Sequence, residues 1–447
     1  MEAVAAPLWS SRRIREGVAY LGLAGLVASS ALIAMGAQGR LGVLVPAARL
    51  RYPGWLRGPL SGLRVALTPN GLAWLLVGMS IGYVLVLVCA EAVSPRVAIG
   101  TVVGLHVLFI LGPPLVSTDV FGYIDLARLG TLHGISPYSA ASTHIPPDSV
   151  HLYRRWHSDL PAPYGPVFML IAYALVPLGV AGGLWAFKIL AAAGSLATVW
   201  LVWRCAAALG RDPLKAALFV GLNPALLLFG VGGAHNDFLV LTVATAAVYL
   251  LIAGRDRLGG AGLVVACAMK LPIGLPLAFA LARPDARGRE GETAAGRRLD
   301  VAKGALLAVA AVAIAAVVGF GSHAAGFIED LKVEQREVAL YSVPNQVGKL
   351  LGFGGLTHGI RLVFTAALAV TVVLMLRRAW RGADWIAAAG WAMFALLVAS
   401  AWLLPWYVAW LLPLAAISSD RRLRTAALAL TAYVVATRVT LWAGLPG

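Results

Sequence analysis

The chain has 447 residues, of which 60% are hydrophobic and 13% are charged, with a mean hydropathy of +0.83. Apolar runs of membrane-spanning length recur from Val18 to Trp442, which excludes a soluble globular protein and predicts a polytopic membrane protein. Lysine and arginine outnumber aspartate and glutamate by 36 to 20, giving a formal net charge of +16. Because the basic residues fall mainly in short links between apolar runs, where they set orientation, we expect no nucleic-acid partner.

The N-terminal segment has the pattern shared by signal peptides and signal anchors. Arg12, Arg13 and Arg15 precede the apolar run Val18–Met35. Further spans follow and no clear A-x-A site closes the run. We therefore expect a retained first span with a cytoplasmic N-terminus.

The apolar runs predict α-helices rather than strands, because Leu, Ala, Val and Gly fill them at helical lengths. The predicted spans are 17–36, 72–93, 97–116, 184–206, 214–232, 236–253, 304–321, 359–378, 385–404, 406–418 and 424–442. Two further runs, 164–182 and 261–282, contain or adjoin prolines and are expected to be re-entrant or broken. The predicted fold is an all-α transmembrane bundle of about 11–13 spans.

One arrangement of these spans puts the basic links on a single side, which the positive-inside rule assigns to the cytoplasm. It requires 164–182 and 261–282 each to enter and leave on the same face. The outer face then receives the segments 117–163, 232–237, 322–358 and 405–407. The loop 38–70 disagrees with the rule, since it contains five arginines and is also placed outside.

This arrangement predicts one membrane domain covering residues 1–447. Two large outer loops, 117–163 and 322–358, would include short interfacial helices, and the loop 283–303 would be a basic cytoplasmic link. We therefore expect a multi-pass protein of the plasma membrane with its active site on the outer face. The three cysteines, Cys89, Cys205 and Cys267, lie in apolar segments without paired spacing and are expected to be buried thiols.

The stretch Ser117–Tyr123 (STDVFGY) follows an apolar span directly and is the strongest candidate for chemistry. The apolar residues after Asp119 are spaced as on one side of a short helix at the membrane interface. Asp119 is either the N-cap of that helix or a general base that takes a proton from an attacking hydroxyl. Asp125 and Arg128 lie three residues apart and are expected to form a solvated ion pair.

The turn Gly232–Asp237 joins two apolar spans and presents an imidazole, an amide and a carboxylate in succession, on His235, Asn236 and Asp237. A charge in hydrocarbon costs roughly 2.5–3.5 kcal/mol on insertion scales, so Asp237 must face water, a partner or a site. The alternative is an ordinary Asn/Asp turn in which Asp237 caps the next helix.

Lys270 lies inside the apolar stretch 261–281, immediately before Leu271-Pro272. One interpretation is a lysine that extends to the membrane interface. The other is a broken helix that points Lys270 and freed backbone N–H groups into a cavity, where they could hold a phosphate. The sequence does not separate the two.

Two later segments are candidates for substrate contact. The outer loop 322–358 contains Tyr341–Gln346 (YSVPNQ), which could line an acceptor groove. Aromatic residues cluster at the break Leu404-Pro405, where an aromatic belt at the membrane interface is a commoner explanation than sugar stacking. That cluster consists of Trp402, Trp406, Tyr407 and Trp410.

Motifs for soluble nucleotide chemistry are missing from the sequence, including the G-x-x-x-x-G-K-[ST] loop, HExxH and GxSxG. A lipid-borne activated substrate fits this chain better than a soluble nucleotide. The competing class is a transporter or lipid flippase, since broken helices with an intramembrane lysine also build substrate pathways. The lack of an inverted repeat counts against that class.

Taken in order, six motifs resemble one group of proteins. They are STDVFGY with GISPYS, APYGPVF, GGAHNDFLV, AMKLP, YSVPNQVGKLLG and LPWYVAWLLPL. The chain resembles the GT-C membrane glycosyltransferases, and among them the polyprenyl-phosphate-mannose-dependent alpha-1,6-mannosyltransferases of bacterial lipoglycan assembly. The resemblance extends from about Ser117 to Leu414, and the order of the motifs is more specific than any one of them.

The resemblance implies an inverting transfer of mannose from a beta-linked polyprenyl phosphate to a glycan or glycolipid acceptor, with Asp119 as the base. Glucose or arabinose donors remain alternatives, because no residue separates these sugars. The implied substrate-binding residues are Tyr123, Asp125, Tyr164, His235, Asn236, Asp237, Lys270, Asn345, Trp406 and Tyr407. No D-x-D pair accompanies Asp119, so a divalent cation is not signalled, and no other cofactor is expected.

Overall fold

The computed structural model describes residues 12–49, 52–139, 146–154, 162–283, 293–328 and 336–444. The described residues form α-helices, a π-helix and short 3₁₀-helices without any β-strand. This confirms the prediction of an all-α polytopic bundle. One large hydrophobic core extends from Ala19 in the first helix to Trp442 in the last.

Several helices begin after an N-cap residue whose side chain accepts a hydrogen bond from the first turn. Thr68, Asp212, Thr293 and Asp384 each accept a hydrogen bond from the first turn of the helix that follows. The helices are α1 (Arg12–Gly36), α2 (Gly54–Arg57), α3 (Pro69–Val88), α4 (Pro95–Ile110), α5 (Asp119–His133), α6 (Pro166–Leu175), α7 (Gly179–Ala208), α8 (Pro213–Gly221), α9 (Asp237–Ile252), α10 (Asp256–Cys267), α11 (Pro276–Ala282), α12 (Ala294–Phe320), α13 (Val343–Leu350), α14 (His358–Trp380), α15 (Trp385–Ala399), α16 (Leu412–Ile417) and α17 (Arg421–Ala443).

Within the described ranges, six helical segments are long and apolar enough to cross a membrane. They are Arg12–Gly39, Pro69–Val88, Pro166–Ala208, Ala294–Ile328, His358–Trp380 and Arg421–Ala443. A bent pair, Pro213–Gly221 with Ala225–Val231, adds a seventh, and five shorter apolar helices accompany them. The predicted number of 11–13 spans therefore requires the bent pair and the shorter helices to cross as well.

The run 261–282 is broken at a proline, as predicted, by the 3₁₀ turn Leu271–Gly274 between α10 and α11. The run 164–182 differs from the prediction, because its 3₁₀ turn Val176–Leu178 lies within one helical segment, Pro166–Ala208, that is long enough to cross a membrane. The expected single span 214–232 is wrong in detail, because α8 and the π-helix Ala225–Val231 meet at an angle of 51°. Cys89 and Cys205 are buried as expected, whereas Cys267 is only partly so.

The basic links contact one another. Arg211 pairs with Asp384 in the link before α15, and Arg298 lies 3.7 Å over the ring of Trp380. Arg298 also donates to the backbone carbonyl of Arg283, whose guanidinium forms a buried pair with Asp256. These contacts bring the links around residues 211, 256, 283, 298 and 380–384 next to one another.

Close packing of α10 against α12 depends on two glycines. A Cβ atom at Gly304 would lie 1.8 Å from the carbonyl oxygen of Arg257, and one at Gly260 would lie 2.2 Å from that of Val301. Small residues of this kind let helix backbones approach closely in membranes. The two helices cannot keep this spacing if either glycine acquires a side chain.

We expect Gly304→Ala to destabilise the protein by about 1–3 kcal/mol, because the added methyl group overpacks the contact with Arg257. Thermal unfolding in detergent would measure the change. Gly100→Ala in α4 is the matched control, since nothing lies within 4 Å of a Cβ atom there. Equal unfolding temperatures for the two variants would contradict the close approach of α10 and α12.

Candidate active site

Asp119 is the first residue of α5 rather than its N-cap. The N-cap position belongs to Thr118, which makes no side-chain capping bond, and the Asp119 N–H donates to Ser117 Oγ at 3.1 Å. The carboxylate is therefore not needed to start the helix. Its side chain is 30% exposed, which leaves it accessible to a substrate.

The backbone before Asp119 is held in an unusual conformation. Val116 has a φ of 63°, which is a costly value for a β-branched residue. Its N–H donates to Leu44 O at 2.7 Å, and the N–H of Leu115 donates to Gly232 O at 2.8 Å. These bonds fix the start of α5 to the loop after α1 and to the turn Gly232–Asp237.

The N-terminal half of α5 is buried against protein, whereas its last turn, Thr131–His133, is exposed. Val120, Phe121, Tyr123 and Ile124 are all buried, and the Phe121 ring stacks on Tyr153. The apolar residues that follow Asp119 therefore pack against the bundle, and a position of α5 at the membrane interface stays a prediction.

His235 faces Asp119. Its Nδ1 lies 3.5 Å from Asp119 Oδ2, and its ring is fully buried. Ala234 before it has a φ of 57°, a left-handed value that alanine rarely adopts, and a π-helix precedes the turn. Strained backbone and π-helical turns are both concentrated at functional sites.

Tyr123 and Asn236 lie behind the His235–Asp119 pair. The Tyr123 hydroxyl donates to Asn236 Oδ1 at 3.4 Å and accepts from the Asn236 N–H at 3.4 Å. The same hydroxyl lies 3.5 Å from His235 Nδ1. Residues 112 positions apart are thus joined in one polar network.

Asp237 and Lys270 form a buried ion pair, with Lys270 Nζ 2.8 Å from Asp237 Oδ1. The same carboxylate oxygen accepts a hydrogen bond from Trp410 Nε1 at 2.5 Å. Lys270 lies 4.8 Å from the ring centre of Tyr407 and 5.1 Å from that of Trp410. The lysine therefore does not extend to the membrane interface, and its charge is compensated by Asp237.

The aromatic cluster is not an interfacial belt. Trp406, Tyr407 and Trp410 are at most 8% exposed. Trp406 stacks on His235 with ring centres 3.8 Å apart, and Tyr407 stacks on Trp410 at 4.1 Å. The sequence did not predict Trp410 as a site residue. Its position four residues after Trp406, in the same short segment, was the available signal.

Tyr164 lies next to the network through its ring, 5.0 Å from that of Tyr123 in an edge-to-face contact. The turn after it meets the Lys270 segment directly. The Gly165 N–H donates to Met269 O at 3.0 Å, and a Cβ atom at Gly165 would lie 2.1 Å from Ala268 O. This turn therefore helps to place Lys270.

Three buried atoms of the turn have no hydrogen-bond partner among the described residues. They are His235 Nε2, Asn236 Nδ2 and Asp237 Oδ2. They come from three successive residues, so unpaired polar atoms are concentrated in this turn.

The predicted ion pair between Asp125 and Arg128 is wrong. Asp125 is buried and contacts His151, 3.0 Å away, and Arg154. Arg128 instead contacts Asp148 at 2.9 Å. Asp125 thus fastens the segment 146–154 onto α5, and the structure gives it no contact with the His235 network.

Asp148 also holds the segment 146–154 against α5, through its contact with Arg128. Burial raises the pKa of its carboxyl group, but hydrogen bonds from the Val150 N–H and from Arg128 outweigh that effect. The pKa of Asp148 is therefore lower than usual, which keeps the group charged at neutral pH.

Asn345 also has a role within its own loop. Its Nδ2 donates to Leu340 O at 2.8 Å, and its Oδ1 accepts from the Leu356 N–H at 2.9 Å. Both ends of the amide are used to close the loop 340–356. The structure does not bring Asn345 into the network around His235.

The fold and the site together define a polytopic membrane protein with a cluster of charged and polar side chains inside the bundle. Asp119, His235, Asp237 and Lys270 come from three separate segments and meet at one place. Within the described residues, no group of three or more His, Cys, Asp or Glu side chains could hold a metal ion.

Comparison with known proteins gives the family. Residues 19–283, more than half of the chain, match the family model described as alpha-(1->6)-mannopyranosyltransferase, N-terminal domain, and residues 339–440 match the MptB C-terminal domain. The chain therefore belongs to the alpha-(1->6)-mannopyranosyltransferase family. This membership confirms the predicted resemblance and makes the protein a mannosyltransferase. No solved structure matches the chain.

Two curated relatives illustrate the similarity. Alpha-(1->6)-mannopyranosyltransferase A of Mycobacterium tuberculosis is 28% identical over 80% of this chain and 71% of its own length. Alpha-(1->6)-mannopyranosyltransferase B of Corynebacterium glutamicum is 28% identical over 68% of this chain and 56% of its own length. The chain thus matches little more than half of the second relative.

We expect Asp237→Asn and Lys270→Met each to destabilise the protein by about 3–5 kcal/mol, because each leaves one buried charge without its partner. The double variant should recover part of the loss, since no buried charge remains. Thermal unfolding in detergent would measure all three. Arg257→Gln, which breaks an exposed pair with Asp300, is the control and should change stability by no more than about 1 kcal/mol.

Additive losses in the double variant would contradict this interpretation of the Asp237–Lys270 pair. They would mean that the two side chains stabilise the protein independently of one another.

Proposed function

We propose that the protein transfers a mannosyl residue, with inversion, from a polyprenyl-phosphate sugar to a hydroxyl group of a glycan or lipid-linked acceptor. The observation that supports this most is the position of Asp119. Its carboxylate is the partly exposed member of a centre whose other members are buried, and it lies 3.5 Å from the His235 imidazole. A carboxylate placed in this way can meet a substrate and still be held by the protein.

In the proposed reaction Asp119 takes the proton of the acceptor hydroxyl. The hydroxyl oxygen attacks the anomeric carbon, and the bond from that carbon to the phosphate oxygen breaks. The electron pair of this bond leaves with the polyprenyl phosphate. Inversion requires attack in line with the departing phosphate, so Asp119 and the phosphate must lie on opposite sides of the sugar.

The phosphate cannot rely on Lys270 alone, because that ammonium group is already paired with Asp237. We infer that the Asn236 amide N–H, which has no partner among the described residues, contributes to donor binding. Hydrogen bonds between protein N–H groups and phosphate oxygens are among the strong ones because the acceptor is charged.

The arginines of the loop after α1 are further candidates for the phosphate. Arg40 and Arg57 lie 5.0 and 5.6 Å from the ring centre of Tyr52. Neither forms an ion pair with a carboxylate among the described residues, so their charges remain available. Leu44 of the same loop accepts the hydrogen bond from Val116, three residues before Asp119.

Mannose is preferred to glucose or arabinose because the relatives with matching sequence are named alpha-(1->6)-mannopyranosyltransferases. Family membership also favours a transferase over a transporter or flippase. The contacts among the basic links support a common cytoplasmic side for them, which would leave the outer face of the plasma membrane for the active site.

We expect purified protein in liposomes to transfer radiolabelled mannose from polyprenyl-phosphate-mannose to a short mannoside. Asp119→Asn should reduce the rate by about 10²–10⁴-fold, because it removes the general base without changing the size of the side chain. Product formation by thin-layer separation of the labelled glycoside would measure the rate.

Asp125→Asn is the matched control on the same helix and should keep most of the activity at temperatures where the protein is folded. It should lower the unfolding temperature, because Asp125 fastens the segment 146–154 onto α5. Label that crosses the bilayer without forming a glycoside would instead identify a transporter. Equal loss of activity in both variants would mean that Asp119 is not the base.

A further inference from the structure

We propose that the segment Pro405–Trp410 positions the charged and polar side chains of the candidate active site. Trp406 holds His235 against Asp119, and Trp410 holds Asp237 against Lys270. Neither tryptophan is a catalytic residue in this proposal. The inference rests on the proposed function only in assigning the base to Asp119.

The first contact is the stack of Trp406 on His235. The two ring centres are 3.8 Å apart and the planes differ by 21°. His235 is fully buried and Trp406 is 7% exposed, so the indole covers one face of the imidazole. Rotation of the imidazole about its Cβ–Cγ bond would break this stack. The indole therefore fixes the plane of the imidazole, and the contacts of Nδ1 with Asp119 and with the Tyr123 hydroxyl set which edge faces the carboxylate.

The second contact is the hydrogen bond from Trp410 Nε1 to Asp237 Oδ1, at 2.5 Å. Lys270 donates to the same oxygen, and its ammonium group lies over the rings of both Tyr407 and Trp410. The carboxylate is thus fixed from two directions through one oxygen. Asp237 Oδ2 is left without a partner among the described residues.

Both contacts come from a single rigid piece of chain. Residues Pro405–Trp410 form one 3₁₀-helix, all of them are buried, and α16 follows after Leu411. The segment packs against the π-helix Ala225–Val231, which leads into the turn that holds His235 and Asp237. A shift of this segment would therefore move His235 and Asp237 together.

This assignment differs from sugar stacking, which would need an open aromatic face. The Trp406 ring is stacked on His235, and the Tyr407 ring is stacked on Trp410. Loss of a sugar platform would weaken substrate binding and raise KM. Loss of a positioning residue lowers kcat and leaves KM nearly unchanged.

The test compares four variants with wild type in the liposome assay with polyprenyl-phosphate-mannose. Trp406→Phe keeps an aromatic face on His235, whereas Trp406→Leu removes it. Trp410→Phe keeps the ring and removes only the N–H. Trp402→Leu is the control, because Trp402 belongs to the same cluster but makes no described contact with the charged groups.

We expect Trp406→Leu to lower kcat about a hundredfold, as a small misplacement of the base does, and Trp406→Phe to restore most of it. Trp410→Phe should lower kcat by at least about tenfold through loss of a hydrogen bond to a charged group. KM for the donor should stay within about twofold in each case, and Trp402→Leu should resemble wild type. A raised KM with unchanged kcat in the Trp406 variants would overturn the proposal in favour of sugar stacking.

A second measurement does not depend on the donor. Diethylpyrocarbonate modifies accessible imidazoles, and mass spectrometry reports the labelled fraction of each histidine. His235 should resist labelling in wild type and Trp406→Phe and become reactive in Trp406→Leu. Unchanged protection in Trp406→Leu would overturn the proposal even if wild type failed to use polyprenyl-phosphate-mannose. That failure, with the labelling as expected, would refute the proposed donor alone.

Discussion

A charge inside a membrane protein must be paired, and this requirement organises the site. Asp237 at the start of α9 is neutralised by Lys270, and both are covered by Tyr407 and Trp410. To meet there, the chain breaks α10 from α11 at Lys270 and interrupts the span before α9 with a π-helix. The irregular backbone thus lies where it is enclosed by protein, as the absence of water in a bilayer demands.

Much of the candidate site could be predicted from polar residues in apolar surroundings. Four polar residues stand out in the sequence because ionisable side chains are rare and costly in apolar segments. They are Asp119, His235, Asp237 and Lys270. Their mutual contacts could not be predicted, since Asp237 and Trp410 are 173 residues apart. The burial of the tryptophans was also missed, because an aromatic cluster at a helix break has the same composition at a lipid interface as in a protein core.

Predictions from local spacing were wrong where a residue has a partner that is distant in the sequence. The spacing of Asp125 and Arg128 satisfies the rule for helical ion pairs, yet each forms its contact with the segment 146–154. The single span predicted at 214–232 failed for a similar reason. Hydropathy reports that a run is apolar, but not that Asn223 accepts the N–H groups of residues 225 and 226 where the helix bends.

The hydrogen bond between Leu115 and Gly232 joins the two halves of the site through main-chain atoms alone. Side chains in the turn can therefore change without separating that turn from the start of α5. Substitution of Asn236 or its neighbours would alter the polar groups that the turn presents, while the spacing between the turn and Asp119 would be kept by the main chain. The backbone thereby allows the side chains of the turn to vary independently of the position of Asp119.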